Sequence, residues 1–128
     1  PAVAPPPAVL LQTSAGPVPV AGTFLSLALF LSVTAHLAAR NVLGDVPARV
    51  ALTVGPGPAA VAVTGAALSI TPAVTVPLAV ALDAVLLRRA YELERRLVVY
   101  VTVIHAVVSV ILGAVIVAGF LLLRTAPG

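Results

Sequence analysis

The sequence predicts an all-α integral membrane protein, a four-helix transmembrane bundle with a kinked or broken second helix, on three observations. Of its 128 residues, 61% are hydrophobic and 9% charged. A soluble domain carries roughly 45–50% apolar and about 25% charged residues, so this chain cannot surround a packed core with a polar shell. The mean hydropathy is +1.20. Finally, four apolar stretches are separated by turn-forming or Arg-rich segments. At about 20 residues per span, little chain remains for a catalytic domain outside the lipid, and an enzyme is not expected.

Residues 1–17, PAVAPPPAVLLQTSAGP, hold five Pro and no charge, and read as an extended Pro-rich N-terminal tail. The lack of a basic residue there argues against a cleaved secretory signal, whose first part is normally positive. Residues 18–39 form the first span, about 33 Å as a helix against a hydrocarbon core of roughly 30 Å. Arg40 ends it, and Gly44, Asp45 and Pro47 mark a short connection. Residues 50–70 are apolar enough to span, but Gly55, Pro56, Gly57 and Pro58 interrupt them, since each Pro removes an amide donor and restricts the residue before it. Either the span is broken there, or an irregular stretch reaches Gly57 and a helix starts near Pro58. Residues 73–87 form a third, short span of about 22 Å. The block RRAYELERR, residues 88–96, must make a hairpin turn without Gly or Pro; one form open to it is a brief interfacial helix with Glu92 and Arg96 paired at i,i+4. Residues 97–123 form a fourth span of about 40 Å, which implies tilt or kinking, and 125–128 are a C-terminal tail.

Four spans place Arg40, Arg49, Arg88, Arg89, Arg95 and Arg96 in two turns on one side and Arg124 alone on the other. Cytoplasmic loops of membrane proteins carry the excess of basic residues, so these six are read as cytoplasmic anchors of a multi-pass cell-membrane protein with both termini outside. A three-span reading, with residues 59–87 as one tilted helix, would put the 88–96 block outside; the Arg distribution favours four.

Three ionisable groups fall inside the spans: His36, Asp83 and His105. Each is costly in lipid, about 2.5–3.5 kcal/mol for Asp at a helix centre. Counted from the nearest Arg, they lie about 6, 7.5 and 13.5 Å deep, all toward the Arg-bearing side. They are candidates for a proton or ion relay, or a polar ligand site, where helices converge. The plainer alternative has His36 and Asp83 reaching the interface while His105 makes one interhelical hydrogen bond. Thr102, His105, Ser109 and Gly113 recur at spacings of three and four along the last helix and define a helix-packing face. Its candidate partners are Ala28, Ser32, His36 and Ala39 on the first helix and Thr75, Ala79 and Asp83 on the third. Gly65 and Ser69 form a small-xxx-small pair on the second. Tyr100 reads as an interfacial anchor, and Tyr91 as a second anchor or a contact for a soluble partner.

Composition removes whole classes of chemistry. There is no Cys, hence no disulfide, thiolate zinc site or iron–sulfur cluster, and no Lys, hence no Schiff base. A haem between His36 and His105 would need ligands at one depth, whereas these differ by about 7.5 Å; a metal site of the two His and Asp83 has the same difficulty. No cofactor, metal or catalytic residue is expected. Nucleic acid is not an expected partner either, because the Arg residues are scattered helix-end anchors.

The segments AHLAARNVLGDVPARVALTVGPGPAAV, residues 35–61, and VTVIHAVVSVILG, residues 101–113, resemble small uncharacterised integral membrane proteins of halophilic archaea. The preference for Arg over Lys and the Ala and Val richness suit a high-GC genome. The resemblance implies membrane residence and carries no activity over. The expected function is therefore non-enzymatic: helix packing, as an accessory subunit of a larger membrane complex or as a homo-oligomer, with the lipid bilayer and another membrane protein or copies of itself as partners and no soluble substrate. The alternative is a small oligomeric transporter or proton/ion-conducting protein that uses Asp83 and His105.

Overall fold

The computed structural model describes residues 16–127, and among these there are helices and turns but no strand. The helices are α1 (Pro17–Leu43), α2 (Ala48–Ala51), α3 (Pro56–Ala67), α4 (Pro72–Tyr91) and α5 (Arg95–Thr125). Most of the expected N-terminal tail, residues 1–15, and Gly128 lie outside the described residues. Pro17 already belongs to α1, where a Pro in the first turn costs no hydrogen bond because those amides have no helical acceptor.

Each helix runs until the backbone offers a stop, and this corrects several expected boundaries. α1 continues past Arg40 to Leu43 and ends at Gly44, whose φ of 88° only glycine adopts freely and whose N–H donates to Arg40 O at 3.0 Å. The second apolar segment is broken. α2 is a single turn, a tight turn follows with the N–H groups of Val54 and Gly55 both donating to Ala51 O, and α3 starts at Pro56. Of the two arrangements left open by the sequence, the broken helical segment is the one found. Ser69, at φ 56°, lies in the turn after α3, so Gly65 and Ser69 do not share a helix face; Gly65 backs onto Thr75 of α4.

The block 88–96 is not an interfacial helix. Arg88–Tyr91 complete α4, and Glu92 turns the chain in the left-handed conformation at φ 52°. Leu93 N–H then closes on Arg88 O at 3.0 Å, and Arg95 and Arg96 open α5. Glu92 and Arg96 therefore sit on different elements and are not an i,i+4 pair.

α1 and α4 each pack against both α3 and α5 and do not touch one another, so the long helices occupy the corners of a four-sided bundle. Gly55 faces Ala28 and Ser32, while Val63 and Ala66 lie beside Val20 and Thr23, which makes α3 antiparallel to α1. Gly57 against Leu86 and Gly65 against Thr75 make α4 antiparallel to α3. With α5 returning from the Glu92 turn, the course is up–down–up–down. The connections 44–47 and 92–94 lie at one end, and Pro17 and Thr125 at the other.

The buried core is concentrated at the first of these ends. Ala35, Ala38, Ala51, Val54, Leu87, Leu93 and Val101 form one cluster from four helices. Toward the other end the bundle opens, and α5 has no buried residue beyond His105. Exposed apolar side chains cover the outside, among them Leu25, Val76, Val110, Phe120 and Leu123. Three helical segments are long and apolar enough to cross a membrane: Pro17–Leu43, Ala48–Ala67 taken across its break, and Arg95–Thr125. α4 has a similar length, about 30 Å, but carries Asp83, Arg88 and Arg89 and is not one of them.

Candidate functional site

His105 projects from α5 into the centre of the bundle, 3% exposed, and meets two other helices there. Its Nδ1 lies 2.5 Å from Asp83 Oδ2 on α4, the one salt-bridge contact among the described residues. Its Nε2 lies 2.9 Å from Thr34 Oγ1 and 3.1 Å from Leu31 O, both on α1. The Thr34 hydroxyl donates to Leu31 O at 3.1 Å, one turn back along its own helix, and Ser109 Oγ donates to Thr34 Oγ1 at 3.0 Å. Four side chains thus form one continuous hydrogen-bonded network joining α1, α4 and α5.

Local sequence explains the placement. Ser109 follows His105 by four residues and lies one turn above it on the same face. Asp83 and Leu87, the buried positions of α4, are also four apart, so the carboxylate points inward with the core leucine while Arg88 and Arg89 remain outside. Asp83 is 6% exposed and Thr34 fully buried, so the network is shielded from the surroundings. Two polar atoms near it have no partner: the second carboxylate oxygen, Asp83 Oδ1, and Thr102 Oγ1, one turn before His105.

The three ionisable candidates are thus only partly gathered. Asp83 and His105 touch; His36 does not join them. It lies in a groove with Ser32, Val33, Leu37, Ala48, Arg49 and Leu52, between α1 and α2. Among the described residues no three His, Asp or Glu side chains come together in a way that could hold a metal ion. Of the packing face, Thr102 is buried and Ser109 half-buried, whereas Gly113 meets only the ring of Phe30 at ordinary contact distance. That face meets Leu31 and Thr34 of α1. The small-residue stripe of Ala28 and Ser32 instead receives Gly55, the residue just before α3, where any Cβ would collide with Ser32 Oγ and Ala28 O.

Thr34 was missed by the sequence reading, from which its depth could be counted but not the face it presents. It precedes Arg40 by six residues, about 9 Å, so it lies deeper than His36 and closer to the level of His105. The Gly55–Pro58 run acts as the joint between α2 and α3, with Gly55 against Ala28 and Ser32 and Gly57 against Leu86. Arg40, Arg49, Arg88, Arg89, Arg95 and Arg96 are all exposed and sit at the end of the bundle that holds the core, opposite Arg124. Tyr91 is half-buried against that core, and the guanidinium of Arg96 lies 5.8 Å from the ring centre of Tyr100, a cation–π contact on one helix turn.

Residues 14–127 match a family of unknown function (DUF7473). The chain belongs to this family. The match takes in all five helices and every residue of the central network. No curated protein and no solved structure matches the chain.

Proposed function

We propose that this protein is a non-enzymatic, multi-pass protein of the cell membrane that acts by helix packing, as a homo-oligomer or as an accessory subunit of a larger membrane complex. The observation that carries the reading is the division of its surfaces. Asp83, His105, Thr34 and Ser109 bond to one another inside. The outside is apolar, with an open groove of about 770 Å³ between the N-terminal half of α1 and the C-terminal half of α5, lined by Gly22, Thr23, Ser26, Phe30, Gly113 and Ile116. Small residues in such a groove let another helix approach closely, which is how helices associate in lipid, where tails are as apolar as Leu. The six Arg at one end support an orientation with that end cytoplasmic and the termini outside. The resemblance to membrane proteins of halophilic archaea supports the same residence. Extraction into native-lipid nanodiscs followed by mass measurement tests it: the expected particle contains more than one 12.8 kDa chain or a stoichiometric second protein. A lone chain would overturn it.

A second reading, proton or ion conduction by an oligomer, is favoured by one observation: Asp83 Oδ1 and Thr102 Oγ1 are buried without partners beside the Asp83–His105 pair. It expects a pH-driven flux in reconstituted vesicles that His105→Ala abolishes; a flux that this substitution leaves unchanged removes the reading.

A further inference from the structure

At the Arg-bearing end of the bundle, a groove of about 310 Å³ lies between α1 and α2. That volume is at the lower end of the range for ligand sites, about 300–1,000 Å³. Its walls are mostly apolar: Val33 and Leu37 of α1 and Leu52 just after α2 line it, and all three are exposed. Two guanidiniums stand at its mouth. Arg49 lines the groove directly, and Arg40 follows Val33 by seven residues and His36 by four, so it extends the same face of α1 by one turn. Both are exposed, and neither is paired, because Asp83–His105 is the one salt-bridge contact among the described residues. Asp45, the acid of the 44–47 connection, is exposed and bridges to neither. His36 is the polar group of the wall. Its Nδ1 is enclosed without a partner, so Nε2 is the nitrogen that a molecule in the groove can reach. The groove at the other connection is differently charged: Arg88 and Arg89 share it with Glu92, whose carboxylate offsets one of them.

We propose that the α1–α2 groove binds one anionic phospholipid, its phosphate held by Arg40 and Arg49 and one of its alkyl chains lying along Val33, Leu37 and Leu52. Charge complementarity selects this occupant. A guanidinium presents a planar fork of donors that matches phosphate oxygens, and two unpaired guanidiniums beside an apolar channel match a molecule with an anionic head and an apolar tail. The depths agree as well. His36 lies about 6 Å below Arg40, a drop that falls within the interfacial layer of about 5–8 Å on each side of a bilayer. Its imidazole therefore faces the polar linkage between head and chains, while Val33, nearly one turn further in, faces the chain itself. Arg anchors at a membrane surface attract anionic lipids in general, but only this pair has an apolar channel without a carboxylate on its wall. The proposal rests on the membrane residence argued above and not on assembly with other chains.

The full chain in detergent micelles is titrated with phosphatidylglycerol and, separately, with phosphatidylcholine of the same chains, and bound lipid is counted by native mass spectrometry. One phosphatidylglycerol per chain should remain bound at concentrations where phosphatidylcholine does not. Arg40→Gln with Arg49→Gln should weaken that binding about 30-fold, whereas Arg88→Gln with Arg89→Gln should leave it unchanged. Val33→Trp, which fills the groove and spares both arginines, should weaken it too. Glycerol 3-phosphate, a headgroup without chains, should not displace the lipid. Equal retention of the two lipids, equal losses from the two Arg pairs, or binding indifferent to Val33→Trp overturns the proposal; displacement by glycerol 3-phosphate would show a free-phosphate site and overturns it equally. The two-lipid comparison uses the parent protein and stands whatever a variant does to folding. A lone chain in the nanodisc measurement would end the assembly reading and leave the lipid site in place, and loss of lipid selectivity would do the reverse.

Discussion

At the residue scale, His105 is the side chain on which three helices depend. His105→Ala leaves the Asp83 carboxyl buried without its partner, and breaking a buried pair by removing one member costs about 3–5 kcal/mol. The double substitution Asp83→Leu with His105→Leu removes both polar groups together, and by the same principle its stability should fall within about 1–2 kcal/mol of the parent protein or exceed it. Thermal denaturation in detergent reads both; a double variant as unstable as His105→Ala would show that packing volume, not pairing, sets the cost. The expense of Asp83 and His105 in lipid was legible in the sequence, because an ionisable group in an apolar run stands out. Thr34 was not, since one hydroxyl among the several on α1 has no such contrast. Its place depends on which face of α1 meets α5, a fact fixed by tertiary contact alone.

At the element scale, the joints of the bundle are set by single backbone positions. Gly55 allows α3 to lie against Ala28 and Ser32 with no room for a side chain. Gly55→Ala should therefore force the helices apart at a cost of about 1–3 kcal/mol. Gly119→Ala, on the open part of α5 where a Cβ meets nothing within 4 Å, should instead stabilise the helix by up to about 1 kcal/mol. Equal effects from the two, measured in the same denaturation, would contradict the packing of α3 on α1. Glu92 bears a left-handed turn that suits glycine, so Glu92→Gly should leave stability unchanged or raise it by up to about 1 kcal/mol. The turns of the chain fall where Gly or Pro punctuates the sequence, at Gly44 and Pro72, although α1 runs past Arg40 to Leu43 before it stops. At residues 88–96 the sequence placed the turn but not its form, because a non-glycine residue makes it there. It also assigned the Ala28 and Ser32 stripe to α5 when it belongs to α3, since small residues on a helix announce a close neighbour without saying which.

At the scale of the whole molecule, the up–down–up–down course gathers both connections and six Arg at one end and leaves the other end open and apolar. The cluster of Ala35, Ala38, Val54, Leu87 and Val101 anchors the first end, while α5, about 46 Å long, extends past its buried part. This polarity is what makes the proposed membrane orientation and the central network parts of one arrangement, because Thr34 of α1 and Asp83 of α4 reach His105 at one level only if the 44–47 and 92–94 connections share an end. With no native Cys, single cysteines report the topology directly. Asp45→Cys, Glu94→Cys and Ser69→Cys place exposed labels at the two Arg-bearing connections and at the opposite turn. In sealed vesicles of one orientation, a membrane-impermeant maleimide should label positions 45 and 94 from the same side and position 69 from the other. Labelling of 45 and 94 from opposite sides, or of all three from one side, would contradict the account.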